Sequence, residues 1–528
     1  MASWVLVQPL LHHGEVPLLH RFPLVQAQWR EIAVGLKKTY LQLVPFPFGG
    51  QLAVVAQLPE ERGADAEEVR PAEVVQVRVA QQPVEPKGFM VSKKSKQEFE
   101  KRKEILEKRK KIVFGIPRIL NMYQHNPFFT AYLEALGIMP GNFVYSEFTS
   151  EEMYKAGAKR GSIDPCFPSK VVIPHIHNLL YHQHKKKKID YVFSPIVDNM
   201  PSDIEFAQAH NVCPTITASI EAAKAAFTKE GDLFSEFGVE YISPFIQLLS
   251  EQMTAKQLFE CFGEKLGLED GENRAAVKEG YKAYFKFMDD LKSESKQVLE
   301  LLEREDKIGI VVLARPYHND PGINHEILEE FQKLGYPILF QDTLPTDEET
   351  LEKLFGDEIK AGVIRSAHDI NDVWKNSYSE NTSRKVWAAK FAARHPNLVA
   401  LELSSFKCGH DAPIYTVVQE IVESSGTPYF SFKDIDENKP AGSIKIRVET
   451  IGYFLKRYRE DMIVHNHKVL TIEEKLKEFE EKIRRSHDLS ERLSHLDAVD
   501  ETASIESGGS FVSLKDVKIR EKDTVDVS

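Results

Sequence analysis

The segment KIGIVVLARPYH (Lys307–His318) opens with an apolar run rich in β-branched residues and closes on Ala, Arg and Pro. Such a run bounded by turn residues is typical of a buried strand. The helical pattern NHEILEEFQKLG and the apolar run YPILF follow it, and NLVALELSSFKCGHDA (Asn397–Ala412) supplies a further strand and loop. Strands that alternate with helices indicate a parallel sheet. We therefore predict an α/β domain over residues 306–458.

A second set of alternating strands and helices precedes this domain. KIVFGIP (Lys111–Pro117) and IDYVFSPI (Ile189–Ile196) have the pattern of buried strands, and NPFFTAYLEALGI (Asn126–Ile138) has that of an amphipathic helix. These elements predict a first α/β domain over residues 111–228. Residues 229–305 show long helical periodicity and are predicted to be a helical insertion. The predicted fold class is α/β, with two doubly wound domains of the Rossmann-like or flavodoxin-like kind.

The ends of the chain differ in composition from this α/β region. Residues 90–110 and 459–500 carry Glu and Lys at three- and four-residue spacings, which indicates exposed charged helices. Residues 501–528 are polar with little to bury, and we predict a tail without a core. Residues 1–89 contain few lysines and show no stable period. We predict a poorly ordered extension there, with a small accessory domain as the alternative.

The composition is that of a globular protein that folds in water. Of the 528 residues, 42% are hydrophobic and 28% are charged, close to the averages for such proteins. No apolar run is long enough to span a bilayer, and the first residues lack a signal-peptide pattern, so we predict a cytoplasmic protein without a membrane partner. The net charge of -12 gives no general attraction to phosphates, which argues against a nucleic-acid partner.

Three of the four cysteines, Cys166, Cys213 and Cys408, lie in the Pro- or Gly-flanked segments PCFP, VCPT and KCGH. Such flanks place a thiol in a constrained loop, and loops at the carboxyl ends of parallel strands are where α/β folds bind ligands. Cys261 lies on a helical pattern and is interpreted as a buried apolar residue. The long separations are unlike those of a structural zinc site, whereas thiolates from distant loops can hold an iron–sulfur cluster. Three unrelated buried cysteines are the alternative.

Histidines allow other interpretations. PHIHN contains His175 and His177, and ARPYHNDPGINHE contains His318, Asp320 and His325. These residue types could hold zinc or non-haem iron. Structural roles are favoured, because His175 and His177 would point to different sides of a helix. The polar segment that begins at the end of the predicted strand and contains His318 is a better candidate for positioning a substrate or cofactor.

Motifs that bind nucleotide phosphates are missing from the sequence. Neither the G-x-x-x-x-G-K-[ST] loop nor a G-x-G-x-x-G turn after a strand occurs. ATP hydrolysis by this chain alone is therefore unsupported. PAGSIKIRVET (Pro440–Thr450) carries Lys445 and Arg447 and could meet an anion, but a basic edge strand is the favoured interpretation.

Several segments taken together resemble a known family. NMYQHNPFFTAYLEALG, GSIDPCFPSKVVIPHIH, IDYVFSPIVDNM, ARPYHNDPGINHEI and PNLVALELSSFKCGHDAPIY look like the carboxyl-terminal module of the CoA-substrate-specific enzyme activases, which is related to the 2-hydroxyacyl-CoA dehydratase subunits. The resemblance covers about residues 110–460. The long members of that family also carry nucleotide-binding activator domains, and their glycine-rich phosphate motif is not found here.

The resemblance implies doubly wound α/β domains and a 4Fe-4S cluster bound by Cys166, Cys213 and Cys408. In the related dehydratases, an electron delivered by an ATP-driven activator reaches the substrate thioester through such a cluster. Further candidates for contacts to the substrate or around the cluster ligands are chosen because they neighbour these loops in sequence. They are Lys170, His175, His318, Asp320, His410 and Asp411.

The predicted function is low-potential electron transfer to a CoA thioester or a similar substrate, for radical dehydration or reduction. The expected partner is a separate ATP-hydrolysing activator protein, and a second copy of the chain is also a candidate. Whether the chain is itself a lyase or only an electron-transfer component is left open. The alternative is a non-catalytic module that bears the cluster or docks a partner enzyme of an activase system, and a mononuclear metal hydrolase that uses the histidines is a third reading.

Overall fold

The computed structural model describes residues 42–45, 51–54, 92–161, 166–437 and 441–497. The chain divides into two compact units, Met1–Arg459 and Glu460–Ser528. The described part of the second unit is helical throughout. The predictions for residues 1–89 and 501–528 lie outside the described residues, apart from the short strands Gln42–Pro45 and Gln51–Val54, which pair antiparallel.

The strands are numbered in chain order: β1 (Gln42–Pro45), β2 (Gln51–Val54), β3 (Phe114–Ile116), β4 (Phe143–Tyr145), β5 (Tyr191–Phe193), β6 (Ile196–Asn199), β7 (Glu240–Ile242), β8 (Phe245–Gln247), β9 (Gly309–Leu313), β10 (Ile338–Phe340), β11 (Leu398–Leu403) and β12 (Tyr429–Phe432). The α-helices are α1 (Lys93–Arg109), α2 (Met122–Ala135), α3 (Glu151–Ala158), α4 (Phe167–Lys170), α5 (Val172–Asn178), α6 (His184–Lys186), α7 (Pro214–Thr228), α8 (Leu233–Phe237), α9 (Glu251–Phe262), α10 (Asp270–Arg304), α11 (Pro321–Asn324), α12 (Ile327–Lys333), α13 (Glu348–Lys360), α14 (Glu380–Arg394), α15 (Tyr415–Ser424) and α16 (Ala441–Asp497). Short 3-10 turns cover Pro140–Asn142, Pro316–Asn319 and Ala412–Ile414, and a π-helical turn covers Leu179–Gln183.

The predicted parallel sheet around KIGIVVLARPYH is present. Its strand order is β10-β9-β11-β12, and all three pairings are parallel, with Ala400 of β11 opposite Val311 of β9. Every residue of β9 and β11 is buried, which is the reason for their near-continuous apolar sequences. Gly309 allows a close approach, because a Cβ there would lie 2.5 Å from Leu302 Cδ1.

The other four-stranded sheet has the order β4-β3-β5-β7 and is also parallel throughout. Its fourth strand, β7, lies inside the segment 229–305, for which only helices were predicted. β8 in the same segment pairs with β6 in a separate two-stranded sheet. Each of these two strands is only three residues long, too short for the alternation of a strand to show in the sequence. The remainder of the segment forms α8, α9 and the 35-residue helix α10.

The α/β fold class with parallel sheets agrees with the sequence analysis and is consistent with Rossmann-like folds. Both four-stranded sheets lie within the first compact unit, so the predicted division into two α/β domains stays a prediction. The basic edge strand predicted in PAGSIKIRVET is wrong, since these residues open α16 from Ala441 onward. One face of this helix is buried through Ile444 and Val448, a four-residue spacing typical of a helix. Within the described residues, no helix is long and apolar enough to cross a membrane.

Candidate functional site

The two central strands of the second sheet end side by side at a point where the chain diverges. β9 is followed by a crossover to β10 on one side, whereas β11 lies on its other side. Loops that leave neighbouring strands in opposite directions open a crevice at the carboxyl ends, which is where doubly wound sheets bind ligands. Arg315 and Tyr317 follow β9 at this point, and Ser404, Cys408 and Asp411 follow β11.

A buried ion-pair network fills the floor of this crevice. Arg315 Nη2 donates to Asp411 Oδ1 at 2.8 Å and to Thr382 Oγ1 at 3.2 Å. Lys385 Nζ donates to the second carboxylate oxygen of Asp411 at 2.9 Å and to Glu402 Oε1 at 3.1 Å. All four charged side chains are at most 1% exposed. The network therefore carries two positive and two negative charges in a region without bulk water.

The charges in this network hold one another in the ionised state. Burial alone would raise the pKa of Asp411, but Arg315 and Lys385 hold that pKa well below its usual range. Burial likewise acts to lower the pKa of Arg315 and of Lys385, but the nearby acidic groups, with Asp411 foremost, together raise both pKa values above their ordinary range. The floor thus stays charged throughout the physiological pH range.

Not all N–H donors of Arg315 form hydrogen bonds with the described residues. Its Nε and Nη1 atoms are buried and have no hydrogen-bond partner among the described residues. A guanidinium has five N–H donors, and a buried cation with unused donors is costly unless an acceptor or anion meets it. The crevice is therefore suited to an anionic or electron-rich group beside Arg315.

The three predicted cysteine ligands all lie within electrostatic range of this guanidinium. The thiols of Cys408 and Cys213 both act electrostatically on Arg315, and those of Cys408 and Cys166 act on the adjacent Tyr317. Burial raises the pKa of Cys166, and the nearby Cys213 adds to that rise while Arg315 opposes it. Burial also raises the pKa of Cys408. Each of the three is partly exposed. Cysteines that lie far apart in sequence thus act on the same buried charge.

Two of the thiols precede helices. Cys213 is the residue immediately before α7, and Cys166 immediately precedes α4, where its Sγ lies 3.3 Å from Ser169 Oγ. The amino-terminal end of a helix carries partial positive charge and favours a thiolate over a thiol. The positions of Cys166 and Cys213 are therefore chemically suited to anionic sulfur, whereas burial by itself favours the neutral thiols of Cys166 and Cys408.

The loop after β12 fastens two of the cysteine segments to each other. Lys170, four residues after Cys166, donates to Glu437 Oε1 at 2.7 Å, and Lys407, next to Cys408, lies 2.9 Å from Asp436 Oδ2. Lys170 thus has a structural role, because its Nζ lies within 3.5 Å of the carboxylates of both Asp436 and Glu437.

The start of α14 contacts the segments that carry Cys213 and Cys408. His210 Nδ1 lies 2.8 Å from Glu380 Oε2, which ties α14 to the segment before Cys213. His410 Nδ1 lies 3.0 Å from Ser379 Oγ, which ties it to the segment after Cys408. Burial lowers the pKa of His410, so this imidazole is a neutral partner. Among the predicted candidates, His410 and Asp411 thus lie at the crevice.

His175 and Asp320 lie together in a different network. Asp320 Oδ2 accepts hydrogen bonds from Tyr123 Oη at 2.6 Å and from Thr149 Oγ1 at 3.0 Å, and Thr149 Oγ1 is 2.9 Å from His175 Nε2. The other oxygen of Asp320 caps the turn at Gly322. Burial lowers the pKa of His175 to about 4. These contacts join loops of the two sheets and use both carboxylate oxygens of Asp320.

His318 is nearer to the crevice but is fully enclosed. Burial lowers its pKa to about 3, and its Nδ1 lies 3.3 Å from the carbonyl oxygen of Arg315. It supports the turn that carries Arg315. No group of three or more His, Cys, Asp or Glu side chains within the described ranges could hold a metal ion. This finding applies to the histidines and to Cys166, Cys213 and Cys408 alike, so both metal-binding interpretations stay predictions.

Sequence reasoning missed the charged residues that build the floor. Lys385 and Thr382 lie on α14, whose first thirteen residues are all buried although their sequence, ENTSRKVWAAKFA, would suit a solvent-exposed face. One signal was present: Glu402 interrupts the apolar strand LVALEL, and a carboxylate in a buried strand needs a cationic partner.

A comparison with protein-family models matches residues 113–344 to the family described as CoA enzyme activase uncharacterised domain. The match supports a CoA activase-family module in this part of the chain, as the sequence resemblance predicted. It includes Cys166, Cys213 and Arg315 and ends before Cys408 and Asp411. No curated protein matches the chain with significant similarity.

Proposed function

We propose that the chain is an iron–sulfur protein of the 2-hydroxyacyl-CoA dehydratase and activase group, which transfers low-potential electrons to a CoA thioester or a similar substrate. The observation that carries the proposal is that Cys166, Cys213 and Cys408 all act electrostatically on one buried guanidinium, that of Arg315. The Nε and Nη1 atoms of Arg315 have no partner in the described part of the chain. The match to a CoA activase-type module supports the choice of group.

The donor set fits a cluster better than a single metal ion. Cys166, Cys213 and Cys408 would be the ligands, and thiolates are the ligands that iron–sulfur clusters take. Each thiolate of a cluster binds its own iron, so three sulfurs around a common centre need not converge on one atom. When bound, a 4Fe-4S cluster with three protein thiolates supplies a one-electron carrier that has one iron open to another ligand.

The residues of the chain have defined tasks in this proposal. Arg315 would supply positive charge and the N–H donors of Nε and Nη1 beside the anionic sulfurs, and Asp411 with Lys385 fixes the guanidinium in place. The Asp436–Glu437 loop holds the Cys166 and Cys408 segments together through Lys170 and Lys407. Such fixed charges and hydrogen bonds tune a redox centre and limit its access to water.

The partners follow from what the sequence lacks. Because no phosphate-binding loop is found, ATP would be hydrolysed by a separate activator protein that reduces this chain. We place this activity in the cytoplasm and on two Rossmann-like domains, one built on each four-stranded sheet. The four cysteines are free in the structure, which is compatible with a reducing compartment.

The test is iron and acid-labile sulfide on anaerobically purified protein, with an electron paramagnetic resonance spectrum after reduction. We expect roughly four iron and four sulfide per chain, lost in Cys408→Ala. Cys261→Ala is the matched control, since Cys261 is also partly exposed but lies on α9, away from the crevice loops. Wild type without iron and sulfide after reconstitution, or equal loss in both variants, would refute the thiolate-bound cluster.

The electron-transfer step has its own test. The reduced protein is incubated with an ATP-dependent activator of this group and a panel of 2-hydroxyacyl-CoA thioesters, and the cluster spectrum and the thioester products are followed together. Oxidation of the reduced protein with product formation supports the proposal. An intact cluster with no turnover of any thioester would instead identify a non-catalytic module.

A further inference from the structure

The carboxyl-terminal part of α16 exposes a continuous apolar stripe. Ile472, Leu476, Phe479 and Ile483 are each more than half exposed, at 57%, 56%, 62% and 53%. They follow one another at spacings of four, three and four residues, which are the a and d positions of a heptad repeat. Four large apolar side chains on one face of a helix are unusual on a free surface and mark an interaction site.

The charges that flank the stripe have a regular sign. With Leu476 and Ile483 at a and Ile472 and Phe479 at d, the exposed residues Lys475 and Lys482 occupy g positions, and the exposed Glu480 occupies an e position. The sequence repeats the pattern one heptad earlier, with Lys468 at g and Glu473 at e. At the e and g positions, lysine thus occupies g and glutamate occupies e, on opposite flanks of the apolar stripe.

The placement of lysine at g and glutamate at e favours a particular partner helix and a particular orientation of that helix. In a parallel coiled coil, each g residue faces the e residue of the next heptad on the other helix, so Lys475 meets Glu480 of an identical chain, twice by symmetry. In an antiparallel pair, g would face g and e would face e, which brings like charges together. A second copy of this chain in parallel orientation is therefore the complementary occupant.

We propose that residues 468–483 of α16 form a parallel, in-register, two-stranded coiled coil with a second copy of this chain. Two strands fit better than three or four, because the flanking e and g positions become more enclosed as strands are added, and here they carry charged side chains. The proposal does not depend on the iron–sulfur function, since none of its residues lies near the cysteine loops in sequence.

The first test is the molar mass of the full chain by light scattering and analytical ultracentrifugation. We expect a dimer for the wild type and a monomer for the double variant Leu476→Glu, Phe479→Glu. Because these side chains are exposed, an unchanged thermal unfolding midpoint of the rest of the chain shows that folding is intact. A monomeric wild type, a trimer or tetramer, or a dimer that survives the double variant would overturn the proposal.

The second test is a charge swap that distinguishes a parallel from an antiparallel pair of helices. Lys475→Glu should weaken the dimer by placing glutamate against Glu480, and adding Glu480→Lys should restore it because the pair is then reversed. Lys477→Glu makes the same charge change at an outward position next to Leu476 and is the matched control. Tighter association of Lys475→Glu, or no rescue in the double variant, would overturn the parallel arrangement.

Discussion

The two four-stranded sheets have the same order of strands, second, first, third and fourth, yet their carboxyl ends differ in charge. After β9 and β11 the chain places Arg315 and Asp411 in a buried ion pair. After β3 and β5 it encloses a largely apolar cavity of about 20 Å³ that includes the neutral His125 in its lining. The same strand order thus leads to a buried ion-pair network in one sheet and to a small, largely apolar cavity in the other.

The pKa values of His125 and Asp411 reflect the same difference between the apolar cavity and the ion-pair network. Burial lowers the pKa of His125 to about 3, and burial is the sole cause. Asp411 is equally buried, but its partners Arg315 and Lys385 lower its pKa and keep it charged. A buried titratable group without a counter-charge becomes neutral, whereas one inside a network stays ionised.

The largest expected effect comes from breaking the charged crevice. Arg315 and Arg118 each lie two residues beyond the end of a first strand, which makes the same substitution comparable in both sheets. Arg315→Gln removes one partner of a fully buried pair and should lower the free energy of unfolding by about 3–5 kcal/mol. The measurement is denaturant unfolding of the cluster-free protein.

Arg118→Gln is the control for that variant. The Arg118 guanidinium lies 4.2 Å from the centre of the Phe148 ring, and losing this contact should cost about 1 kcal/mol. Equal losses in the two variants would show that the charged crevice is not energetically special.

The sequence predicted the parts of this comparison that depend on local pattern. The buried strands of both sheets show as short apolar runs, and the Pro- and Gly-flanked cysteines indicated loops at strand ends. The strand β7 was missed because a three-residue strand has too few residues to show a period. The basic strand expected near Lys445 was wrong because the same residues also fit a helix with one apolar face.

The charged floor could not be predicted, since its members are distant in sequence and polar by type. Lys385, Glu402 and Asp411 meet only after α14 packs against β11, and nothing local distinguishes Lys385 from a surface lysine. His175 and Asp320 were predicted as substrate or cluster contacts because they neighbour the cysteine loops in sequence, and that role stays a prediction. Their joint hydrogen-bond network with Thr149, however, is a tertiary feature.

A smaller effect should appear as a pH dependence of stability. Burial lowers the pKa of His175 from 6.5 to about 4, so below pH 6.5 the unfolded chain binds a proton that the folded chain does not. The contribution of this residue is fully present above pH 6.5 and is lost as the pH falls toward 4, at up to about 1.4 kcal/mol per pH unit. His175→Gln should therefore flatten the fall of the thermal midpoint between pH 6.5 and 4.5.

The control for this titration is the exposed His182 in the same part of the chain. His182→Gln makes the same replacement at an exposed position and should leave the pH dependence of the midpoint unchanged. If His175→Gln has the wild-type slope, the acid sensitivity arises elsewhere, and the neutral contact between the loops of the two sheets loses its energetic role.

The smallest expected effect is a gain in the apolar crevice. Both ring nitrogens of His125 are buried and have no hydrogen-bond partner among the described residues. His125→Leu has a similar volume and removes these unpaired groups, so it should raise the free energy of unfolding by about 1 kcal/mol.

His318→Leu is the counterpart in the other sheet and should be destabilising, because it abolishes the contact of His318 Nδ1 with the Arg315 carbonyl. If His125→Leu is also destabilising, the imidazole has a hydrogen-bonding partner in solution. The crevice of the first sheet would then be a second polar site, and the contrast between the two strand ends would be one of charge alone.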